Sequence, residues 1–411
     1  MNSNCLSNVL NKNISWFQHS SIMVPQNGFW GVAERIYVCR DKELRERVFR
    51  SFNSFTEYGD WDVIESRRAD CNFQACYLFL LASECGCPGT RETAENLLDY
   101  LYKRSGLLNR GEKDMRHKGM RGVWNWSHTK WCLCLWFDDN SWALAIPLLI
   151  AKRYPDLAEK YDLKSWAESL TNELATGFER CFAAAAEKPD EDLADPQWIW
   201  LGRPLLPHWG SLCCFALSAA VRAGIGDRNR IESIIKSYHD YLRNAPAERL
   251  NASELAYALI GATAASKTFE DPEYLTLACS FADRLLAKAD CVTGNIPSEH
   301  YEAPKGKNLV DTIYTANWVL QGFQNLTRLL PDNPVYRGEL EHLLKLFAEI
   351  QDNSPERQFN GCWRGMYDME KHVWGGGDSY EGGAGSIYSG WTNAPTAIVF
   401  ANELLGTSLI D

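Results

Sequence analysis

The sequence predicts an all-α protein, an (α/α)6 toroid of six helical hairpins that forms a single domain over residues 1–411. Apolar residues recur with the helical period in about twelve segments, whereas almost no stretch alternates as a strand would. The links between these segments alternate between short and long, as expected for helical hairpins arranged in a ring. A chain of this length would by default hold two or three domains, but a closed ring of twelve helices can form one.

The predicted helices follow the apolar period and end at glycine, proline or asparagine turn signals. Thr90 and Asn251 are good N-cap residues for two of them. The first segment lies within residues 29–55, with or without a break near Arg40. The other eleven cover residues 69–85, 90–104, 140–153, 157–186, 210–223, 228–243, 252–267, 273–288, 312–330, 335–351 and 391–405.

The lengths of the links decide how the helices are arranged. Links after helices two, four, six, eight and ten have roughly two to six residues, as in antiparallel hairpins. Most of the others are much longer, so the long loops should lie on one rim, where segments 124–142 and 375–391 would share a site. An open superhelical stack would alternate in the same way, but no repeat of fixed period is present.

The helices that follow the long loops should point their N-termini at this rim, where unpaired N–H groups favour anionic groups. Their first turns carry Asp70 and Asn72, Asp138 and Asp139, His208 and Trp209, Asn251 and Glu254, Tyr314 and Asn317, and Trp391 and Asn393.

Composition excludes several classes of protein. The net charge is −11 without a basic stripe, which argues against a nucleic-acid partner. No apolar run reaches the roughly 18 residues of a membrane helix, and the N-terminus lacks the pattern of a secretory signal, so we expect no membrane partner and a cytoplasmic protein. The 14 cysteines and 8 histidines lack metal-ligand spacing, and we expect neither a metal nor a cofactor. The oligomeric state is left open.

The stretch 124–142, WNWSHTKWCLCLWFDDNSW, holds five tryptophans and ends in an acidic pair at a helix start. Aromatic faces cover the apolar face of a sugar ring, and paired carboxylates are the usual groups for glycoside hydrolysis. The alternative is that the tryptophans are core and the aspartates cap the helix. We expect Asp138 to handle the proton, because Trp136 and Phe137 would exclude water and raise its pKa; Asp139 is the second choice.

A second candidate region is the block 375–383, whose five glycines flank Asp378, Tyr380 and Glu381 and let backbone approach a ligand closely. It could equally be a surface loop that closes the ring. Arg67, Arg68 and Arg364 could bind a carboxylate through two hydrogen bonds or simply be solvated surface residues.

Two further candidates have plain structural alternatives. Glu254 is either a second site carboxylate or a first-turn residue favoured by the helix dipole, and His208 either binds a sugar hydroxyl or is structural. The predicted catalytic residues are Asp138, Asp139 and Glu381. The predicted substrate-binding residues are Trp126, Trp142, Arg67, Arg68, Asp70, Asn72, His208, Trp209, Glu254, Arg364, Asp378, Tyr380, Trp391 and Asn393.

The chain resembles the six-hairpin glycosidases, a superfamily with an (α/α)6 barrel. Residues 138–142, Asp-Asp-Asn-Ser-Trp, resemble the Asp-Asp-x-x-Trp segment of the endo-alpha-mannanases, whose aspartate pair is catalytic. Residues 251–255 and 271–275 are also similar to that group, but the match covers only about a tenth of the chain. The C-terminal block 374–395 departs from it and resembles the tails of helical-barrel glycosidases of the beta-glucuronidase and unsaturated glucuronyl hydrolase types.

This resemblance implies a glycoside hydrolase with an oligosaccharide substrate that contains uronic acid. An endo-alpha-mannanase is one alternative. A sugar epimerase or isomerase would need a pair of histidines in the bowl, and only His208 occurs at a predicted helix start. A non-catalytic carbohydrate-binding protein would keep the tryptophans without needing the acids.

Overall fold

The computed structural model describes residues 1–52, 54–111, 120–127, 135–187, 200–201 and 205–411. Its α-helices are α1 Ser3–His19, α2 Lys42–Ser51, α3 Ala69–Glu84, α4 Thr90–Asp99, α5 Phe137–Arg153, α6 Pro155–Lys160, α7 Leu163–Glu187, α8 Pro207–Arg222, α9 Arg228–Asn244, α10 Ala252–Phe269, α11 Pro272–Lys288, α12 Ala316–Leu329, α13 Pro334–Ile350 and α14 Ala394–Leu405. Its strands are β1 Arg35–Tyr37, β2 Phe55–Glu57, β3 Asp62–Ile64, β4 Leu135–Trp136, β5 Trp200–Leu201, β6 Leu309–Asp311, β7 Met366–Asp368, β8 Val373–Trp374 and β9 Ser386–Tyr388.

Six helices form a closed inner ring. They are α3, α5, α8, α10, α12 and α14, each packed against the next, with α14 returning to α3. Five of them pair with the outer helix that follows in the chain (α4, α7, α9, α11 and α13), and α14 pairs with α1. Closure of the ring excludes the open stack, so the predicted all-α, six-hairpin (α/α)6 fold is confirmed.

The burial pattern separates inner from outer helices. In α5 every residue from Phe137 to Ala151 is buried, because an inner helix is covered by both ring neighbours and by its outer partner. The outer helix α9 buries one stripe, which includes Ile231, Ile235 and Leu242, and leaves its other face polar. Within the described residues, no helix is long and apolar enough to cross a membrane.

The first predicted helix, within residues 29–55, is wrong as the outer partner of α14, although α2 begins just after Arg40, where a break was expected. That region contains β1 and the short peripheral helix α2, and the outer partner of α14 is α1, which begins at the N-cap Asn2. The N-terminal segment shows the helical period in its buried residues, from Leu6 through Leu10 to Phe17. The sixth hairpin is therefore formed by the two ends of the chain.

Short strands, which the sequence pattern did not predict, precede the N-termini of the inner helices. They form a four-stranded sheet in the order β2-β3-β1-β9, the pair β4-β5 and the set β6-β7-β8. Strands of two or three residues are too short to show alternation. They fix the long loops at the rim where the inner helices begin, and they contribute side chains to the site there.

Candidate active site

A cavity of about 230 Å³ lies at the N-terminal ends of the inner helices. Among its lining residues, eight were predicted as site residues: Arg68, Trp126, Asp138, Asp139, His208, Trp209, Glu381 and Trp391. The segments 124–142 and 375–391 both contribute to it, as the alternation of links predicted. The lining also includes residues that were not among the predicted catalytic or substrate-binding residues: Glu34, Trp136, Tyr301, Glu302, Ile313, Tyr314 and Tyr388.

Arg68 links the acidic groups on the helix side of the cavity. It is the N-cap of α3, and its Nη2 lies 2.6 Å from Asp139 Oδ1 and 3.0 Å from Asp70 Oδ2. Its Nη1 lies 3.3 Å from Glu34 Oε1. One guanidinium therefore faces three buried carboxyl groups, and a single positive charge cannot balance three negative charges in a poorly solvated site. This arrangement favours proton retention by part of the cluster.

The pKa shifts follow from this excess of acid. Burial raises the pKa of Asp139 well above its ordinary value, and the carboxylates of Asp70 and Asp138 add to the effect, although the Arg68 charge opposes it. Burial also raises the pKa of Glu34 against the opposing charges of Arg35 and Arg68. Asp139 is therefore suited to hold a proton.

Asp138 has the opposite electrostatic environment. Its Oδ2 lies 3.1 Å from His208 Nε2, and its Oδ1 accepts a hydrogen bond from the Asp139 backbone N–H at 2.9 Å. Burial alone would raise the pKa of Asp138, but His208, the Arg68 charge and this N–H outweigh burial and hold the pKa below its ordinary value. The expectation of a raised pKa at Asp138 is wrong, because Trp136 and Phe137 exclude water without removing these polar partners.

Aromatic rings surround the acidic groups. Trp126 and Trp391 lie over the Arg68 guanidinium, with ring centroids 5.5 and 5.8 Å from its central carbon. Trp136 and Trp209 stack with centroids 6.4 Å apart. The lining thus combines apolar ring faces with carboxyl groups, the chemistry of a site for a polyol with an apolar face.

The strands and long loops contribute a second group of acids. Glu381 Oε2 accepts a hydrogen bond from Arg35 Nη1 at 2.9 Å and another from the Tyr388 hydroxyl. Glu302 Oε2 accepts from the Tyr314 hydroxyl at 3.1 Å. Burial raises the pKa of Glu302, and the Glu381 charge contributes to the rise.

A second histidine lies near His208, although it comes from a loop and not from the start of a helix. His300 lies in the loop before α12, and its ring centroid is 6.2 Å from that of His208. The His300 ring stacks on the Tyr314 ring with centroids 3.9 Å apart. It does not line the cavity, and its Nδ1 accepts the Glu302 backbone N–H at 3.2 Å. Burial lowers the pKa of His300 to about 2, so its imidazole is neutral.

Nine of the predicted site residues do not line the cavity: Trp142, Arg67, Asp70, Asn72, Glu254, Arg364, Asp378, Tyr380 and Asn393. Of these, Asp70 supports the site from behind, since its Oδ2 accepts from Trp391 Nε1 at 2.7 Å as well as from Arg68. Trp142 is core and stacks on Trp318 at 5.6 Å. The Asn72 side chain accepts a hydrogen bond from the Val32 backbone N–H and donates one to the Val32 carbonyl oxygen.

Two of the three predicted carboxylate-binding arginines are engaged elsewhere. Arg67 bonds the Gly31 carbonyl oxygen at 2.8 Å and Glu65 at 2.6 Å. Arg364 pairs with Asp352 at 2.6 Å and lies over Phe359.

The remaining four stabilise local structure. Glu254 forms a capping box with Asn251. Asp378 accepts the Gly385 backbone N–H within the glycine-rich block. Tyr380 packs in a small core beside Tyr37, Phe52 and Ile64. The Asn393 side chain donates hydrogen bonds to the Trp363 and Tyr388 carbonyl oxygens.

Glu34 and Arg35 could have been noticed in the sequence. They stand as adjacent opposite charges within GVAERIYVC, an otherwise apolar run where charged side chains are rare unless paired. Glu302 and Tyr388 carry no comparable signal. Among the residues that the structure describes, no group of His, Cys, Asp and Glu is arranged to hold a metal ion.

No protein-family profile matches the sequence, and no curated protein matches it. Solved structures do match. An alpha-1,6-mannanase of Salegentibacter sp. HEL1_6, in a variant inactivated by replacing two consecutive aspartates with alanine and bound to alpha-1,6-mannotetrose, is 12% identical; the match covers 97% of this chain and 99% of that one, with a TM-score of 0.55.

Two epimerases match as well. A sugar epimerase from a ruminal bacterium is 9% identical over 99% of both chains, with a TM-score of 0.60. A cellobiose 2-epimerase from Bacillus thermoamylovorans B4167 is 11% identical over 82% of this chain and 88% of that one, with a TM-score of 0.55. These similarities establish the fold shared by the six-hairpin glycosidases and such epimerases, which confirms the fold that the sequence resemblance implied.

Proposed function

We propose that the protein is a glycoside hydrolase that acts on a neutral oligosaccharide, with Asp139 as general acid and Asp138 as the second carboxylate. The observation that carries this proposal is the pair itself: two adjacent aspartates line one aromatic cavity, and their pKa values shift in opposite directions. Such a split separates the roles of acid and base or nucleophile. The mannanase inactivated at two consecutive aspartates is consistent with this assignment.

The reaction would use the two aspartates as follows. Asp139 gives its proton to the glycosidic oxygen as the bond from that oxygen to the anomeric carbon breaks, and the bonding electrons stay with the departing sugar. Asp138, ionised beside His208, either bonds the anomeric carbon or takes a proton from the attacking water. In both cases the second carboxylate stabilises the positive charge that develops on the sugar ring.

A neutral substrate is favoured over the uronic acid that the C-terminal resemblance implied. Five carboxyl groups line the cavity, on Glu34, Asp138, Asp139, Glu302 and Glu381, and Arg68 is the one arginine among its described lining residues. Arg68 already bonds three carboxyl groups. A uronate would therefore add negative charge without a free cationic partner.

The test is a panel of 4-nitrophenyl glycosides with mannose, glucose and glucuronic acid in both anomeric forms, together with alpha-1,6-mannotetraose and cellobiose. We expect cleavage of a neutral member and little turnover of the glucuronides. Turnover of glucuronides equal to that of the neutral sugars would overturn the neutral substrate. If no member is cleaved, the hydrolase proposal is wrong for these linkages.

A sugar epimerase is the second candidate, because His208 and His300 lie close together and two similar structures are epimerases. An epimerase base must reach the proton beside the carbonyl group, whereas His300 lies outside the cavity lining. Incubation with cellobiose in D₂O separates the two functions. Deuterium at C2 without cleavage would establish the epimerase.

A further inference from the structure

A fully buried arginine lies behind the loop side of the cavity. Arg35 is in β1, and the register of β1 with β9 places it directly opposite Tyr388. Its guanidinium lies between the rings of Phe52 and Tyr388, with centroids 4.9 and 4.8 Å from the central carbon. Within the described part of the chain its Nε and Nη2 have no hydrogen-bond partner, so these ring faces provide its remaining stabilisation.

The charge of Arg35 is directed at Glu381. The Arg35 Nη1 and the Tyr388 hydroxyl both donate to the same oxygen, Oε2 of Glu381, and Arg35 Nη1 also donates to the Tyr388 oxygen. An arginine stays protonated in proteins, and its charge must be balanced when it is buried. Glu381 is therefore the counter-charge of Arg35, and one of its two oxygens is fixed in place.

The other oxygen of Glu381 has different surroundings. Among the described residues, no hydrogen bond reaches Oε1, and Oε1 is not one of the buried unpaired atoms. The side chain is 18% exposed and lines the cavity. A carboxylate with one fixed oxygen and one accessible oxygen is a preorganised acceptor for hydroxyl groups.

We propose that Glu381 is a specificity-determining residue that accepts hydrogen bonds from hydroxyl groups of a neutral sugar, with Arg35 and Tyr388 as its positioning residues. This role rests on the proposed function of the cavity as a sugar site. It reassigns Glu381 from catalysis to recognition, because Arg35 and Tyr388 hold one of its oxygens in place and leave the other accessible. It also gives a reason to reject uronates, whose carboxylate would meet the Glu381 charge.

The experiment measures binding without turnover, by calorimetry in the Asp139→Asn background. The probes are alpha-1,6-mannotetraose, cellobiose and 4-nitrophenyl β-D-glucuronide. Glu381→Gln should weaken binding of the neutral probe about 10- to 100-fold, the scale of a lost charged hydrogen bond. The ratio of the affinity for the neutral probe to the affinity for the glucuronide should fall by a similar factor. Tyr388→Phe, which removes one hydroxyl, should weaken binding of the neutral probe about 3- to 10-fold.

Glu370→Gln is the matched control, since Glu370 is an exposed glutamate of the neighbouring β7–β8 turn and does not line the cavity, and it should bind as the parent does. Unchanged binding in Glu381→Gln, or failure of the parent to bind either neutral probe, would overturn the role of Glu381. A parent that binds and responds to Glu381→Gln, while the wild-type protein cleaves nothing, would leave this role intact and reject the hydrolase.

Discussion

Helices α5 and α10 begin at the same rim of the ring with similar first turns, yet their acidic residues have different roles. In α5 the N-cap Trp136 makes no side-chain cap, and Asp138 and Asp139 are directed at His208 and Arg68. In α10 the N-cap Asn251 and Glu254 form a reciprocal capping box. In this pair of helices, the carboxylates that line the cavity are those whose side-chain partners lie on other helices.

The difference arises from the side chains that face each helix N-terminus. The α5 N-terminus faces Arg68 of α3 and His208 of α8, which bring cationic and aromatic groups to its carboxylates. At the α10 N-terminus, the Asn251 side chain accepts the Glu254 backbone N–H at 3.0 Å, and the Glu254 side chain accepts the Asn251 backbone N–H at 3.1 Å. The Glu254 carboxylate therefore completes the cap of its own helix.

The largest expected effect is on catalysis. Asp139→Asn should lower kcat about 10²- to 10⁴-fold, the usual contribution of a positioned proton donor, because asparagine keeps the shape but has no acidic proton. The matched change on α10, Glu254→Gln, should leave kcat close to the wild-type value. Initial rates on the cleaved member of the glycoside panel measure both, and circular dichroism verifies folding.

Two outcomes would contradict this assignment. A comparable loss in Glu254→Gln would mean that the first turn of α10 also reaches the substrate. Full activity in Asp139→Asn with loss in Asp138→Asn would exchange the roles of the two aspartates, and full activity in both would remove the pair from the mechanism.

The same contrast explains how much the sequence could predict. The ring was predictable because link lengths record which helix ends are joined, and the aspartate pair because it follows a tryptophan-rich stretch. The roles of Asp138 and Glu254 were not predictable from the sequence. These roles depend on the pairing of Asp138 with His208 and of Glu254 with Asn251, and helical periodicity does not specify such pairings. Glu34 and Tyr388 were missed because strands of three residues place them in the site.

A smaller effect concerns stability against pH. Burial raises the pKa of Glu254 to about 7 from the ordinary 4.5, so the folded protein binds this proton more tightly than the unfolded chain. Folding then takes up a proton between these pH values, and the free energy of unfolding falls as the pH rises from about 4.5 to about 7. Glu254→Gln removes this dependence. The difference in free energy of unfolding between this variant and the wild type should therefore be more favourable to the variant at pH 8 than at pH 4, by of order 1–3 kcal/mol.

Urea unfolding at a series of pH values measures this gain. Asp139→Asn should show the same sign, because the pKa of Asp139 is also raised by burial. Asp138→Asn should show the opposite sign at low pH, since the lowered pKa of Asp138 stabilises the folded state above its unfolded pKa and that stability is lost on acidification. If the free energy of unfolding varies with pH in the same way in the wild type and in all three variants, these carboxylates titrate as they do in the unfolded chain.

The smallest expected effect isolates the cap of α10. Asn251→Ala removes the acceptor for the Glu254 backbone N–H and the Ser253 hydroxyl, which should lower the free energy of unfolding by about 1 kcal/mol. Because Asn251 does not line the cavity, KM and kcat should stay close to wild type. Asn333→Ala is the matched control, since Asn333 caps the outer helix α13 and should cost a similar amount. A loss of activity in Asn251→Ala alone, at equal stability, would show that the α10 N-terminus positions the site and does not merely end a helix.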